Sequence, residues 1–350
     1  MLNVVFSSND EYSPLLTVAL ASLLENNCKD FDFINVFILD NGIEKANRDR
    51  VLRMCEKYPC RATFIDGSVI ESLDISVVPM ECSSIAPESF ANFSRLFVST
   101  LLPDDVDKVI YLDCDGLVLG SLRQLWDSDI SDYYCAGVLQ SGINEPLKKE
   151  FWFFDVDKYI NSGFLYINLE KWRRDDVEAR FIEFLTDHQG QYFCSDQGVI
   201  NSVFDGKIRV IEPKYNLISS YRDFNFILAK KIKSPVVDEY SKQTIKESSK
   251  NPIFVHFAGR EKAPWLDCRN EYFSEFERYA KMTGCESIIQ YGSMVTSESS
   301  KSHGFLKKIW GSISKVAIFF TPSRYLISRN AEEGIKMFKR EELRISEDDD

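Results

Sequence analysis

Residues 108–122 read KVIYLDCDGLVLGSL, and the order of residue types in this stretch decides the fold. KVIYL is rich in β-branched and aromatic side chains, the signature of a buried strand. It runs into two carboxylates separated by one residue and leaves through Gly116. On an extended chain residues i and i+2 project to the same face, so Asp113 and Asp115 point together. In open α/β sheets the ligand crevice lies at the carboxyl ends of the strands, where this pair falls. Two adjacent carboxylates repel each other and lose solvation, and a bound cation is a natural reason to keep them there; capping of the strand end is the alternative. Asp-x-Asp recurs at 30/32, 105/107, 127/129, 155/157 and 348/350, but only the 113/115 pair closes a strongly apolar strand.

Working outward, the chain alternates strands and helices. NVVF is a strand, SSNDEY a polar turn, and SPLLTVALASLLENN a helix that Ser13 can cap, with Pro14 in its first turn. Strand FINVFIL, a helix through about 44–58 and strand RATFID follow, giving an α/β, Rossmann-like order with a mostly parallel, helix-covered sheet. The first strand-to-helix turn lacks the GxGxxG that lets a dinucleotide pyrophosphate approach the backbone, which argues against nicotinamide and flavin enzymes. Further on, YINSGFLYINLEKW (159–172) is an Asn-Ser-Gly turn feeding an apolar strand. SDQGVINSVF (195–204) opens a helix, and NPIFVHFAGREKAPW (251–265) runs a strand into His256.

The 350 residues, 44% hydrophobic, suffice for one large α/β domain and an appendage. A formal charge of −12 argues against nucleic acid as a partner. Nine cysteines, an odd number with no CxxC pair, suit a reduced, cytosolic setting. The start MLNVVFSSND has no signal-peptide character and nowhere do 18 apolar residues run together, so neither export by a standard signal nor a membrane span is expected.

YLDCDG fits two chemistries. In a nucleotide-sugar transferase the carboxylates hold a divalent metal against the donor diphosphate. A haloacid dehalogenase-type phosphohydrolase carries a similar strand and Asp-x-Asp-Gly, but at the start of its domain and with a later acidic Gly-Asp-type motif. Here about 110 residues of α/β fold come first and no such later motif follows, so the transferase leads.

Taken in order, SSNDEY, FSRLFVSTLLPDDVDKVIYLDCD, NSGFLYINLEKWR, DQGVIN and HFAGREKAPW resemble glycosyltransferase family 8, which includes bacterial lipopolysaccharide galactosyl- and glucosyltransferases and, more distantly, glycogenin. The resemblance covers about residues 1–270 and implies a GT-A-type fold. It also implies retaining transfer of glucose or galactose from a UDP-sugar to a glycan or glycolipid acceptor. Asp113, Asp115 and His256 would ligate the cation, Mn²⁺ with Mg²⁺ as the alternative. Ser7, Asn9 and Tyr12 would meet the base and ribose, although a turn with Asn and Asp is equally turn chemistry. Arg95 resembles a donor-contacting arginine, against a helix-surface salt bridge. The same resemblance puts Cys114, between the two carboxylates, at the donor. Gly259 and Lys262 would meet the donor phosphates, although Ala263 is inserted before Pro264 relative to the usual His-x-x-Gly-x-x-Lys-Pro-Trp. Asn161, Asp196 and Gln197 would surround the donor sugar. Gln140 stands where the family commonly has an acidic sugar contact. Gln197 is a poor nucleophile, which favours a front-face route over a covalent one through Asp196. A non-catalytic sugar-binding relative and glycogenin-like self-glycosylation are the other readings.

By sequence the catalytic domain spans about 1–285, a Ser-rich linker 286–302, a basic segment 303–340 and an acidic tail 341–350. The basic segment holds eight Lys or Arg against two Glu, with Phe305, Leu306, Ile309, Trp310, Ile313, Val316, Ala317 and Phe320 at helical spacing. That pattern suits an amphipathic helix lying on an anionic membrane at its cytoplasmic face, or one docked on the catalytic domain.

Overall fold

The computed structural model describes residues 1–67, 93–141, 158–188, 195–222, 224–231, 233–258 and 263–289. Its strands, in chain order, are β1 Leu2–Ser8, β2 Ile34–Asp40, β3 Cys60–Asp66, β4 Lys108–Leu112, β5 Gly116–Val118, β6 Cys135–Gly137, β7 Phe164–Asn168, β8 Ile208–Val210, β9 Leu217–Ile218 and β10 Phe254–His256. The helices of nine residues or more are α1 Ser13–Asn27, α2 Lys45–Cys55, α3 Val177–Asp187, α4 Ser195–Val203, α5 Lys242–Lys250 and α6 Phe273–Thr283.

The central sheet has the order β3-β2-β1-β4-β7-β6-β8. The pairs β1–β2, β1–β4, β2–β3 and β6–β8 are parallel, whereas β7 is antiparallel to both of its neighbours. The mostly parallel sheet read from the sequence is present, with β7 reversed. That reversal has a use: with Leu112 opposite Phe164, the segment just before β7 arrives at the carboxyl end of β4, beside Asp113. The Asp113 N–H donates to the Gly163 carbonyl at 2.9 Å.

A second, three-stranded sheet has the order β5-β10-β9. The turn containing Asp113 and Asp115 is therefore where the chain crosses from the central sheet into the small one. The outer edge of β5 is satisfied by side chains of α1. Ser22 Oγ accepts from the Val118 N–H at 2.9 Å, and Asn26 Nδ2 donates to the Val118 carbonyl at 3.0 Å. Packed also against α6, α1 is buried around most of its circumference, which is why its sequence is apolar nearly throughout rather than on one stripe.

The expected Ser13 cap is not made. Tyr12 occupies the N-cap position, and Ser13 Oγ donates instead to the Asp10 carbonyl at 2.7 Å. Asn9 fixes the entry one step earlier, its Oδ1 accepting from the Tyr12 N–H at 3.0 Å in an Asx-type turn. Pro14 does sit in the first turn.

At the other end, α6 stops at Gly284, whose φ of 69° lies in the left-handed region glycine adopts without strain. Cys285 and Ile289 are buried. The basic segment and the acidic tail lie outside the described residues. Cys28, Cys55, Cys60, Cys114, Cys135, Cys268 and Cys285 are free thiols. No helix among the described residues is long and apolar enough to cross a membrane.

Candidate active site

Two strand pairings build the centre of the site. Asp113 follows β4 directly. Asp115 precedes β5, whose antiparallel pairing sets Gly116 opposite His256, and the Phe257 N–H donates to the Asp115 carbonyl at 2.8 Å. His256 Nε2 then lies 3.2 Å from Asp115 Oδ1 and 3.7 Å from Asp113 Oδ2. One ligand atom from each of the three residues falls within 4.8 Å of the others. Two carboxylates and an imidazole form a donor set suited to Mn²⁺, and less to an all-oxygen cation such as Ca²⁺.

Two glycines make room for this convergence. A Cβ at Gly116 would overlap the Phe254 ring, so the glycine that ends YLDCDG permits β5 to lie on β10. A Cβ at Gly163 would overlap His256 Cε1 and stand 2.6 Å from Nδ1 and 2.8 Å from Asp113 Oδ2. Gly163→Ala is therefore expected to cost about 1–3 kcal/mol by overpacking and to push His256 and Asp113 apart. Urea denaturation checks this, and a wild-type stability would show that the cradle yields without consequence.

Electrostatics hold the cluster together. Burial disfavours the imidazolium, but Asp115 and Asp113 outweigh it and raise the His256 pKa above its ordinary value. Burial likewise works against the Asp115 carboxylate, and His256 more than offsets it, so the Asp115 pKa is lowered. Arg95 is buried beside them. Its NH2 nitrogen is 3.0 Å from Asp113 Oδ1, its Nε 3.1 Å from Asp196 Oδ2, and its NH1 nitrogen donates to the Ser162 carbonyl at 3.0 Å. The guanidinium lies over the Tyr111 ring, 4.5 Å from its centroid. Burial opposes the Arg95 charge, yet the two carboxylates prevail and raise its pKa.

The surroundings of Arg95 differ from the helix-surface salt bridge that the sequence offered as one reading of it, because Arg95 is buried and does not lie in a regular α-helix. It sits in a 3₁₀ turn, Ser94–Phe97, followed by the short helix Val98–Leu101. Glu178 from α3 accepts from the backbone N–H groups of Ser99 and Thr100, serving as an N-terminal cap supplied from another element. Arg173 donates to the carbonyls of Ser99, Leu102 and Val106 at the other end. A segment tied down at both ends holds Arg95 in place.

A band of amides adjoins the carboxylates. Asn161 Nδ2 donates to Gln140 Oε1 at 3.0 Å and to Gln197 Oε1 at 3.1 Å, and Gln197 Oε1 also accepts from the Ser162 N–H at 3.1 Å. Asn161 Oδ1 accepts from the Gly163 N–H at 3.0 Å and from Asn216 Nδ2 at 2.8 Å. Asn216 Oδ1 is in turn 3.2 Å from His256 Nδ1. Sequence reasoning missed Asn216, which lies in an irregular stretch before a two-residue strand.

Most of the residues singled out by sequence are brought together. Asp113, Asp115, His256, Arg95, Asp196, Asn161, Gln197 and Gln140 form one connected set. Cys114 is buried with its thiol 3.2 Å from the Ser7 carbonyl, and burial pushes its pKa well up. Ser7 Oγ is 2.8 Å from Ser94 Oγ, next to Arg95. Asn9 and Tyr12 lie in the turn between β1 and α1, with Asn9 Oδ1 accepting from the Tyr12 N–H. Gly259 and Lys262 lie outside the described residues.

A model of glycosyl transferase family 8 matches residues 3–269. A putative glycosyltransferase of Haemophilus influenzae is 31% identical over 243 residues, 67% of this chain and 69% of that protein. A lipopolysaccharide 1,2-glucosyltransferase of Escherichia coli is 27% identical over 285 residues, 79% of this chain and 76% of that protein. Among solved structures, galactosyltransferase LgtC in complex with donor and acceptor sugar analogues superposes with a TM-score of 0.63 at 25% identity, covering 83% of this chain and 98% of the other. With the match running from β1 past the histidine of the site, in a GT-A-type fold, the chain belongs to glycosyltransferase family 8.

Proposed function

We propose that the protein transfers glucose or galactose from a UDP-sugar to a glycan acceptor, a lipopolysaccharide or other cell-surface glycan, with retention at the anomeric carbon and hence an α-linkage. The observation that carries this reading is the convergence of Asp113, Asp115 and His256 beyond the end of β4, joined through Asn216 to the Asn161–Gln197–Gln140 amides. The names of relatives, a lipopolysaccharide 1,2-glucosyltransferase and a galactosyltransferase, support a hexose as the group moved.

Asp113, Asp115 and His256 would hold a divalent cation, which when bound neutralises a diphosphate leaving group. The protein's own residues do the rest. Arg95 orients Asp113 and pairs with Asp196. Asn161 and the Ser162 N–H both engage Gln197 Oε1, which leaves that oxygen poorly disposed to attack a sugar. Asp196, paired with Arg95, is likewise a weakened nucleophile. Both points favour a front-face route, in which the departing phosphate takes the acceptor proton, over a double displacement. The same reading places the enzyme at the cytoplasmic face of a membrane, with residues 303–340 against anionic lipid; its support is the charge pattern of the sequence.

Incubation with a panel of UDP-sugars and Mn²⁺, followed by acceptor screening and NMR of the product, tests the proposal. Gln197→Ala is expected to slow transfer by about 10–10² fold, less than loss of a cation ligand, because a neutral amide supplies a modest share of the electrostatic stabilisation. Its product should remain α-linked. A β-linked product from the wild type would defeat the retaining mechanism.

A further inference from the structure

We propose that Asn216 is a positioning residue that couples the cation site to the donor-sugar amides, fixing the ring and tautomer of His256 on one side and the orientation of Asn161 and Gln197 on the other. The inference rests on the transferase reading above and adds a residue and a linkage to it.

Hydrogen-bond logic fixes each group in turn, starting from backbone donors whose identity is unambiguous. The Gly163 N–H points at Asn161 Oδ1, so this atom is the oxygen and Asn161 Nδ2 faces Gln140 and Gln197. The Ser162 N–H points at Gln197 Oε1, which accepts from Asn161 as that assignment requires. The atom of Asn216 facing Asn161 Oδ1 must then be a donor, its Nδ2. Its oxygen accordingly faces His256 Nδ1, 3.2 Å away, and can accept only if Nδ1 carries a hydrogen. With Nδ1 protonated and held, Nε2, the nitrogen 3.2 Å from Asp115 Oδ1, is the one left to ligate a cation. Metal-ligating imidazoles commonly need such an outer partner, and losing it weakens metal binding.

Both hydrogens and both acceptor sites of Asn161 are used inside the protein. Its place is as a hub, and Asn216 is the connection from that hub to the imidazole. Asn216 is fully buried, and the parallel pairing of β9 with β10, which sets Ile218 beside His256, brings it there.

Two substitutions in the full chain separate the two sides of the linkage. Asn216→Ala removes both hydrogen bonds and is expected to weaken Mn²⁺ binding, read by the EPR signal of free Mn²⁺ without donor present, about 10–100 fold. Asn216→Asp keeps an oxygen for His256 Nδ1–H and loses the donor to Asn161. It should bind Mn²⁺ within about threefold of wild type, as in carboxylate–histidine–metal arrangements. Its kcat for UDP-hexose turnover at saturating Mn²⁺ should nonetheless fall about tenfold or more through misoriented amides. Folded Asn216→Ala that binds Mn²⁺ like wild type overturns the proposal, as does Asn216→Asp with unchanged kcat. Should Asn216→Ala fail to fold, the split between affinity and kcat in Asn216→Asp decides. A wild-type protein that takes up no Mn²⁺ would bring down the transferase reading and this linkage together; loss of the linkage alone leaves wild-type binding and turnover in place.

Discussion

Replacing Asp115 with Asn is expected to reduce transfer by about 10³-fold or more while leaving folding stability within about 1 kcal/mol of wild type. Asp115 is one of three ligand-bearing groups, and the amide that replaces it keeps the shape but loses the charge that a divalent cation requires. The fold should tolerate the change because the partner lost is His256, 3.2 Å away. An imidazole whose pKa was raised by Asp115 can shed its proton when that carboxylate disappears, so no charge is stranded in the interior. Asp113→Asn should abolish transfer similarly. Circular dichroism and urea denaturation establish the fold, and UDP release with Mn²⁺ reports the activity. A folded Asp115→Asn enzyme with wild-type turnover would remove Asp115 from the cation site.

Arg95→Met is expected to do the opposite to stability, lowering it by about 3–5 kcal/mol. Arg95 is buried, cannot give up its proton, and is shared between Asp113 and Asp196. Without it Asp113 and Asp196 lose the buried cation they share, and the stacking on Tyr111 is lost as well. Adding Asp196→Asn to Arg95→Met should recover part of the loss, since one of the stranded charges is then absent. Chemical denaturation of the three proteins measures both effects. An Arg95→Met protein within about 1 kcal/mol of wild type would mean that the ion-pair network contributes little. The contrast between Asp115 and Arg95 follows from the ordinary pKa of the partners left behind: an imidazole sheds its proton near neutral pH at little cost, whereas Asp113 and Asp196 would have to take up protons far above the usual carboxylate range.

The sequence exposes some of this architecture readily. The strand KVIYL ending in Asp113 and Asp115, the βα order of the first hundred residues and the strand leading into His256 all carry local patterns, apolar runs that stop at polar groups. Other features have no local pattern. An apolar run such as FLYIN carries no mark of direction, so the reversal of β7, which brings Asn161 and Gly163 to Asp113, was not legible. The small sheet is built from strands of two and three residues, too short to show a period. Its pairing places Asn216 on His256, and an asparagine in KYNLI has nothing to distinguish it from any turn asparagine. Arg95 read as a helix residue because FSRLFVSTL has helical composition; its 3₁₀ turn depends on Glu178 and Arg173, which lie far away in sequence. The Ser13 cap failed for a local reason, since Asn9 had already satisfied the entry to α1.

The proposed function requires that Asp113, Asp115 and His256 hold a divalent cation on which hexose transfer from a UDP-sugar depends. Release of UDP from UDP-glucose and UDP-galactose by the full-length protein, measured with Mn²⁺ and again after excess EDTA, tests it most directly. Release with at least one of the two donors in Mn²⁺, lost in EDTA and restored by added Mn²⁺, is the predicted result; release at an undiminished rate in EDTA would contradict it.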